Sequence, residues 1–367
     1  MQLIDLIKSL MKYKTITGNL PEIKKCLQYI QDILRPIGAH VQIYEQNGFP
    51  VIMATNTADT HLDALVLGHI DVVPAEDDMF QPYVENGLIH GRGSLDMKSF
   101  AAVAINSLEY VIKHNLNLKF GFIFSTDEEK GSFSLETFVK NHPQVSTKIV
   151  LDNDVGGDIT KIVTKCKNPV FIKLISHGKA AHGSTPWEGV DANENLFKAW
   201  KNIRKIYPAM PVKPQNTWCD TVHFAKITGG AVNNIISDYA EALLDFRLTD
   251  SSGLEKLKEN LTNAMPEGVS FEVISSSIPV ITDEKSPVLN AYKTLAEKVL
   301  KKKIEFEYIG GATDSHIFYP TGALIIMHSG TGEGMHAENE YVVFESVEQI
   351  AEIQTLFLEQ LAERNML

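Results

Sequence analysis

The chain of 367 residues is longer than one hydrophobic core usually serves, so we expect two domains. Its 44% hydrophobic and 22% charged residues are typical of an ordinary soluble globular protein. The net charge of -12 argues against nucleic acid or an anionic membrane surface as a partner.

The cysteines and the N-terminal segment both bear on the cellular compartment in which the protein is expected. Cys26, Cys166 and Cys219 lie far apart and form no CxxC pair, which is typical of a reducing environment. The segment 1–8 is amphipathic and interrupted by charge, unlike a signal peptide, and no apolar run is long enough to span a bilayer. We therefore expect a cytoplasmic protein without a membrane partner.

The first predicted elements are helices at residues 2–12 and 21–36 and strands at His40–Tyr44, Val51–Thr55 and Ala64–Leu67. The last strand is an apolar run of the kind found in buried parallel sheets, and His69 and Asp71 follow it directly. Because ligands bind beyond the carboxyl ends of parallel strands, His69 lies where a metal or substrate would bind. Asp71 can accept the proton of the imidazole nitrogen that does not bind metal, although a satisfied strand-end histidine is the alternative.

Asp96 stands at the start of a long apolar helix, predicted from Met97 to about Lys113. An N-cap aspartate is the simplest interpretation of this position. A carboxylate has two oxygens, however, so Asp96 can also bridge two metal ions.

Acidic residues also follow the next two predicted strands. They are Asp127, Glu128 and Glu129 after the strand 119–124, and Asp152 and Asp154 after Lys148–Leu151. Adjacent acids after a buried strand are costly unless a positive charge neutralises them, although a solvated turn is the alternative. One carboxylate at such a strand end would bind a metal and leave its neighbour free as a base.

The pattern changes between Asn168 and Pro279. Longer strands, partly alternating in polarity, lie among two helices there: strands Val170–Ser176, Thr221–Thr228, Tyr239–Arg247 and Val269–Ser275, and helices Val190–Ile206 and Gly253–Ala264. A helix at 287–301, a strand at Ala323–Met327 and a final helix from Glu345 to about Glu363 follow. We therefore predict an α/β domain with a mostly parallel central sheet (1–167 and 281–367), interrupted by a smaller α+β domain with an antiparallel sheet (168–280).

The segment 328–340 contains a GxGxG pattern and His336. No helix opens directly after these glycines and no Lys-Ser/Thr follows, so a phosphate loop is weakly supported. His336 is a better candidate for a metal ligand. It joins His69, Asp96, Glu129 and an acid at 152–154, which all lie at or near strand ends of one layer.

Nitrogen and carboxylate ligands without cysteine suit zinc, with cobalt or manganese as possible substitutes. With Asp96 bridging, the set suffices for two metals about 3.5–4 Å apart, as in co-catalytic hydrolases. The sequence contains neither a GxSxG elbow nor an HExxH helix, so other nucleophile systems lack support.

Several motifs resemble, in order, those of the di-zinc exopeptidases and deacylases, which include acetylornithine deacetylase, succinyl-diaminopimelate desuccinylase, carboxypeptidase G and aminoacylase. The matching segments are His69-x-Asp71-Val72-Val73-Pro74, Gly91-Arg92-Gly93-x-x-Asp96-Met97-Lys98, Asp127-Glu128-Glu129, Gly178-Lys179-x-x-His182 and His336-x-x-x-Glu340. The resemblance covers nearly the whole chain. It implies a zinc-exopeptidase-like catalytic domain and a smaller lid domain, through which the chain would form a homodimer.

The resemblance also implies how two metals would be held. One would take His69, Asp96 and the acid at 152–154, and the other would take Asp96, Glu129 and His336. Asp154 fits the longer offset of carboxypeptidase-like members and Asp152 fits a shorter one; we prefer Asp154.

Further roles follow from the same resemblance. Glu128 would be the general base, Asp71 would orient His69, and His182 would stabilise the oxyanion, in dimeric relatives by reaching across from the other subunit. The implied substrate-binding residues are Asn234, Arg247, Gly311 and Asp314, the last two in the segment Gly310–Asp314 that resembles a pocket loop. Ser99 and Ser237 replace a usual glycine and a common proline, and neither change removes a ligand.

The implied activity is hydrolysis of an amide bond in a small N-acyl amino acid, as in a deacetylase or desuccinylase. A dipeptidase or carboxypeptidase of the same family, acting on short peptides, is the alternative. A more distant alternative is an inactive hydrolase that serves as a binding protein.

Overall fold

The computed structural model describes residues 1–210 and 218–364, which form two compact units. The first unit comprises Met1–Thr164, Thr282–Glu307 and Thr313–Leu367, and the second comprises Lys165–Ile281 and Tyr308–Ala312. The domain limits predicted from the sequence stay a prediction.

The helices are α1 (Leu3–Met11), α2 (Leu20–Leu34), α3 (Lys98–Lys113), α4 (Phe133–Asn141), α5 (Ala192–Ile206), α6 (Gly253–Ala264), α7 (Pro287–Leu300), α8 (Ser315–Phe318) and α9 (Phe344–Arg364). The strands are β1 (His40–Gln46), β2 (Phe49–Thr55), β3 (His61–His69), β4 (Tyr83–Glu85), β5 (Leu88–His90), β6 (Phe120–Ser125), β7 (Ser146–Asp152), β8 (Lys161–Cys166), β9 (Asn168–His177), β10 (Thr221–Gly229), β11 (Tyr239–Leu248), β12 (Val269–Ser276), β13 (Val280–Ile281), β14 (Glu305–Ile309), β15 (Leu324–Met327), β16 (Gly332–Glu333) and β17 (Tyr341–Val343). None of the helices within the described residues combines the length and the apolar character needed to cross a membrane.

The first unit is built on a mixed sheet with the strand order β1-β2-β6-β3-β7-β15-β8. At its centre, β3 pairs in parallel with β6 and β7, and β15 pairs in parallel with β7. The flanking strands β1, β2 and β8 pair antiparallel. This topology confirms the predicted α/β fold with a mostly parallel centre.

The central strands are apolar because both faces of the sheet are covered. Every residue of β6 is buried, and so are the last six residues of β3. Helix α3 is apolar around most of its surface, and α1 and α9 both contact it. Its long apolar sequence therefore reflects burial between other helices and the sheet.

The second unit contains a four-stranded antiparallel sheet in the order β10-β11-β9-β12. Helix α5 packs on β9 and β11 and also contacts α6. Helix α5 begins at Ala192 rather than at the predicted Val190, because the Asp191 side chain accepts hydrogen bonds from the N–H groups of Asn193 and Glu194 and caps the helix. The predicted antiparallel α+β domain is confirmed.

A small antiparallel sheet in the first unit was not predicted. Its order is β16-β17-β5-β4, and its strands are only two or three residues long. Strands this short show no alternation that a sequence pattern can reveal. The loop between β16 and β17 contains His336, and β5 leads into the segment that ends at Asp96.

Candidate metal centre

The predicted ligands meet because β3, β6 and β7 run parallel and end at the same edge of the sheet. His69 of β3 pairs with Ser125 of β6, and Leu67 of β3 pairs with Asp152 of β7. The acids that follow β6 and β7 therefore begin beside His69.

The first candidate ligand group contains His69, Asp96 and Asp154. The Nε2 atom of His69 lies 3.0 Å from Oδ1 of Asp96 and 3.7 Å from Oδ2 of Asp154. The three ligand atoms all lie within 4.8 Å of one another, and the His69 side chain is 1% exposed. One ion can therefore contact all three side chains.

The second candidate group contains Asp96, Glu129 and His336. The Nε2 atom of His336 lies 2.9 Å from Oδ2 of Asp96 and 3.1 Å from Oε2 of Glu129. His336 is about half exposed, in contrast to His69. Within the described residues, these two groups are the ones with metal-ligand geometry.

Asp96 is common to both groups and offers a different oxygen to each histidine. The expectation that it caps the following helix is wrong, because α3 begins at Lys98 with Met97 as its N-cap residue and without a side-chain cap. Burial acts to raise the pKa of Asp96, but hydrogen bonds from His336 and His69 hold that pKa below its usual value. The carboxylate is therefore ionised and placed as a bridging ligand would be.

The second nitrogen of His69 faces Asp71. Nδ1 lies 3.0 Å from the backbone oxygen of Asp71 and 3.4 Å from its carboxylate oxygen Oδ1. The buried carboxylate accepts a 2.7 Å hydrogen bond from Thr17 Oγ1 and longer ones from the N–H groups of Glu128 and Glu129. Asp71 thus connects the ring of His69 to the loop that carries the two glutamates. No sequence pattern pointed to Thr17, because its partner is distant along the chain.

Asp152 and Asp154 point to different partners. Oδ1 of Asp152 accepts a 2.8 Å bond from the N–H of Asp154, and Oδ2 accepts one from the Ser315 hydroxyl. In the described part of the chain, the candidate ligand groups include Asp154 and not Asp152.

Burial shapes the electrostatics of the acids. It is the main reason that the pKa of Glu128 and that of Asp154 lie well above their usual values, and it raises the pKa of Glu129 to about 7. The carboxylate of Asp96 acts in the same direction on Glu129 and Asp154. Such a crowded set of buried acids favours neutralisation by cations.

The donor chemistry fits a pair of divalent metal ions. The two groups supply imidazole nitrogens and carboxylate oxygens with no thiolate, which suits zinc, cobalt or manganese. His69 also has the partner on its second nitrogen that metal-binding histidines usually have.

Asp314 is buried close to this centre. Its carboxylate accepts hydrogen bonds from the hydroxyls of Ser125, at 3.2 Å, and Ser132. Burial raises its pKa to about 6. Through these two hydrogen bonds, Asp314 joins Ser125 at the end of β6 to Ser132, three residues after Glu129. Gly311 belongs to the second unit, where a Cβ atom would meet no neighbour within 4 Å.

The second unit contains the remaining predicted site residues. His182 is exposed, and its Nδ1 accepts a 3.2 Å bond from the N–H of Ser184, which leaves Nε2 as the nitrogen able to donate. The N–H of Gly183 donates to the backbone oxygen of Asn234 at 2.8 Å, so His182 and Asn234 lie on adjacent segments. Arg247 forms a two-point ion pair with Asp245, at 2.9 and 3.0 Å.

The chain is similar to known proteins both in sequence and in fold. A family model described as peptidase family M20/M25/M40 matches residues 65–360. Succinyl-diaminopimelate desuccinylase from Acinetobacter baumannii (strain AYE) is 25% identical over 363 residues, which cover 92% of this chain and 93% of that protein.

Solved structures show the same fold. An M20 family metallo-carboxypeptidase from Sulfolobus solfataricus matches with a TM-score of 0.80 at 18% identity and covers 99% of each chain. The Bacillus subtilis YXEP protein, described as a dinuclear metal binding peptidase, matches with a TM-score of 0.70 at 14% identity, over 97% of this chain and 98% of that one.

Proposed function

Because this chain belongs to peptidase family M20/M25/M40, we propose that it hydrolyses the amide bond of a small N-acyl amino acid, as a deacetylase or desuccinylase does. The observation that carries the proposal is the pair of ligand groups sharing Asp96, with Glu128 beside them. The similarity to a desuccinylase over more than nine-tenths of both chains supports the N-acyl class of substrate.

We propose two divalent ions, zinc by preference, with His69, Asp96 and Asp154 as ligands of one and Asp96, Glu129 and His336 as ligands of the other. Bound there, the ions would polarise the amide carbonyl and lower the pKa of the attacking water. The similarity in fold to the Bacillus subtilis dinuclear metal binding peptidase supports this assignment.

Glu128 is the proposed general base. It adjoins Glu129 in sequence, and the hydrogen bonds from the N–H groups of both residues to Asp71 fix the loop. The Glu128 carboxylate belongs to neither ligand group in the described chain. It is therefore available to take a proton from water and to return it to the leaving amine.

Asp71 has a positioning role in this proposal. Its backbone oxygen holds Nδ1 of His69, which turns Nε2 toward Asp96. Its carboxylate receives the N–H groups of the glutamate loop. One residue thus sets the orientation of a ligand and of the base.

The second unit would supply the remaining contacts. With Nδ1 bonded to Ser184, His182 can donate from Nε2 to the oxyanion, which is the role we propose for it. We propose that Asn234 and Arg247 bind the substrate carboxylate and that Gly311 and Asp314 belong to the pocket. A homodimer formed through this unit is part of the proposal.

A peptidase acting on short peptides is the second candidate. The similarity in fold to a metallo-carboxypeptidase over 99% of both chains favours it. An inactive hydrolase is less well supported, because both candidate ligand groups are present and Glu128, the proposed base, lies next to one of their members.

The test is amine release by the zinc-loaded protein from N-acetyl, N-succinyl and N-formyl amino acids and from dipeptides. Preference for one N-acyl series would support the proposal and name its substrate class. Cleavage of dipeptides alone would instead support the second candidate, a peptidase. No release from any compound would contradict the proposal, and the metal content would then distinguish an unusual hydrolase with two ions from an inactive protein with none.

A further inference from the structure

Two loops that carry candidate ligands are joined by the small sheet. Strand β5 pairs antiparallel with β17, with His90 opposite Tyr341. The N–H of Gly91 donates to the backbone oxygen of Glu340 at 3.2 Å. The segment that runs from β5 to Asp96 therefore begins beside the end of the loop that carries His336.

Glu340 binds this segment along most of its length. Its Oε2 accepts a 2.6 Å bond from Nη1 of Arg92 and a 3.0 Å bond from the N–H of Gly93. Its Oε1 accepts bonds from the N–H groups of Leu95 and Asp96, at 2.8 and 3.1 Å. One carboxylate thus fixes the backbone up to the proposed bridging ligand.

Arg92 extends the contact to the other loop. Its Nη2 donates to the backbone oxygen of Ala337, the residue after His336, at 3.1 Å. Arg92 is 3% exposed and Glu340 is 1% exposed. The pair is therefore shielded from solvent. It contacts the backbone of both loops, the one that ends at Asp96 and the one that carries His336.

His336 needs such support, because its φ of 62° lies in the left-handed region that non-glycine residues seldom adopt. Residues held in that region depend on their surroundings to keep them there. The carbonyl bond from Arg92 acts at the adjoining residue.

The buried ion pair is weak as an explanation of stability. Removing two charges from water costs about as much as their attraction returns, so an apolar pair of similar volume is often equally stable. What an apolar pair does not supply is the set of hydrogen bonds to the loop backbones. These hydrogen bonds therefore act mainly by fixing the geometry of the two loops.

We infer that Arg92 and Glu340 are positioning residues for the second ligand group: they hold Asp96 and His336 in register so that the second ion binds. The inference rests on the proposed metal centre, not on the identity of the substrate. Of the two groups, the first has its own support, because His69 is oriented by Asp71. Loss of the pair should therefore weaken the binding of the second ion more than that of the first.

The main test uses the double variant Arg92→Met with Glu340→Met, which leaves no unpaired buried charge. Metal content is measured by equilibrium dialysis, and Co²⁺ is titrated while its visible absorption is recorded. We expect the second ion to bind about 10–100-fold more weakly, as for other residues that orient metal ligands, and its spectrum to change more than that of the first ion. Arg92→Lys, which keeps both buried charges but loses the forked donor geometry, should give an intermediate affinity.

A matched control is Leu358→Ala, a core change in α9 of the same unit. It should lower thermal stability by leaving a cavity in the core. Because it lies within α9, outside the segments 91–96 and 334–340, it should keep both ions at wild-type affinity. Wild-type affinity and spectrum for both ions in the double variant would overturn the inference. Equal loss of the second ion in Leu358→Ala would also overturn it, because stability alone would then explain the effect.

The outcomes also separate this inference from the proposed function. If the wild-type protein binds two ions and the double variant loses one, the inference holds even if no N-acyl amino acid is cleaved. If the wild-type protein binds no ion, the inference fails together with the proposed metal centre.

Discussion

Oδ1 of Asp152 accepts a 2.8 Å hydrogen bond from the backbone N–H of Asp154. Its other oxygen accepts a hydrogen bond from Ser315, so the Asp152 carboxylate is buried with both oxygens occupied. Asp154 instead places Oδ2 at 3.7 Å from Nε2 of His69. The first aspartate thus holds the backbone of the second, and this supports Asp154 as the metal ligand.

Two asparagine substitutions test this division. Asp154→Asn should lower the metal content from two ions to about one, because it removes a charged ligand of the first group. Asp152→Asn should retain both ions and lower the free energy of unfolding by about 1–3 kcal/mol through impaired buried hydrogen bonds. Metal analysis after dialysis and thermal unfolding check both variants, and the opposite pattern would assign the ligand role to Asp152.

Glu128→Gln should retain both metals and lose about 10²–10⁴-fold in turnover, because the amide cannot take the proton of the attacking water. The checks are metal content and kcat on the best substrate of the N-acyl panel. Glu136→Gln is the matched control, since Glu136 is an acid of helix α4 that belongs to neither ligand group. Turnover of Glu128→Gln at the wild-type rate would remove Glu128 from the role of base.

Metal removal should destabilise the protein. Burial raises the pKa of Glu128, of Glu129 and of Asp154. These acids therefore resist ionisation unless cations neutralise them. Ions that bind only the folded state add about 2.7 kcal/mol at a free concentration of 100 times Kd. We expect a chelator to lower Tm and added zinc to restore it, as measured by thermal unfolding.

The variant Asp96→Asn is the control for that experiment, because Asp96 belongs to both ligand groups. Its Tm should respond much less to chelator and to zinc than the Tm of the wild type. An equal response in the two proteins would show that zinc stabilises the fold at another place.

The residues that form the two candidate ligand groups could be proposed from the sequence where they follow apolar strands. His69, Glu129 and Asp154 each come soon after such a strand, and parallel pairing of β3 with β6 and β7 brings these ends together. Asp96 shows the limit of local patterns. Its place before an apolar helix suggests a cap, whereas its carboxylate contacts two histidines far away in sequence.

Other features could not be predicted because they depend on long-range contacts. The small sheet has strands of two or three residues, so its pairing of β5 with β17 left no periodic signal. Glu340 appeared in a motif, but its hydrogen bonds to a loop near Asp96 are a property of the folded chain. Helix α4, which begins at Phe133 soon after the acidic turn, was also missed.

His182→Ala should lower kcat while metal content stays at the wild-type value, because the proposed role of His182 is to donate to the oxyanion and not to bind metal. Loss of one such donor costs about 10²–10³-fold in kcat. His223→Ala is the control, since His223 is also an exposed histidine of the second unit. Loss of metal from His182→Ala would contradict the assignment, and so would an equal loss of kcat in the control.

His328 should make the protein less stable in mild acid. Its Nε2 lies 2.7 Å from the Ile159 oxygen and its Nδ1 lies 3.1 Å from the Tyr292 hydroxyl, which fits a neutral ring that donates from Nε2. Burial lowers its pKa to about 4, whereas an unfolded histidine titrates near ~6.5. Between these values the unfolded state binds more protons, so stability falls as pH falls, and above pH ~6.5 the residue has no effect.

The variant His328→Gln tests this pH dependence, because its amide can donate to Ile159 without titrating. Between pH 7 and 5, its free energy of unfolding should fall by about 2 kcal/mol less than that of the wild type, since one pKa unit corresponds to about 1.4 kcal/mol. Chemical denaturation at each pH measures the difference. His114→Gln, a change at an exposed histidine, should keep the wild-type slope. If His328→Gln also kept that slope, His328 would not be the group that links folding to pH in this range.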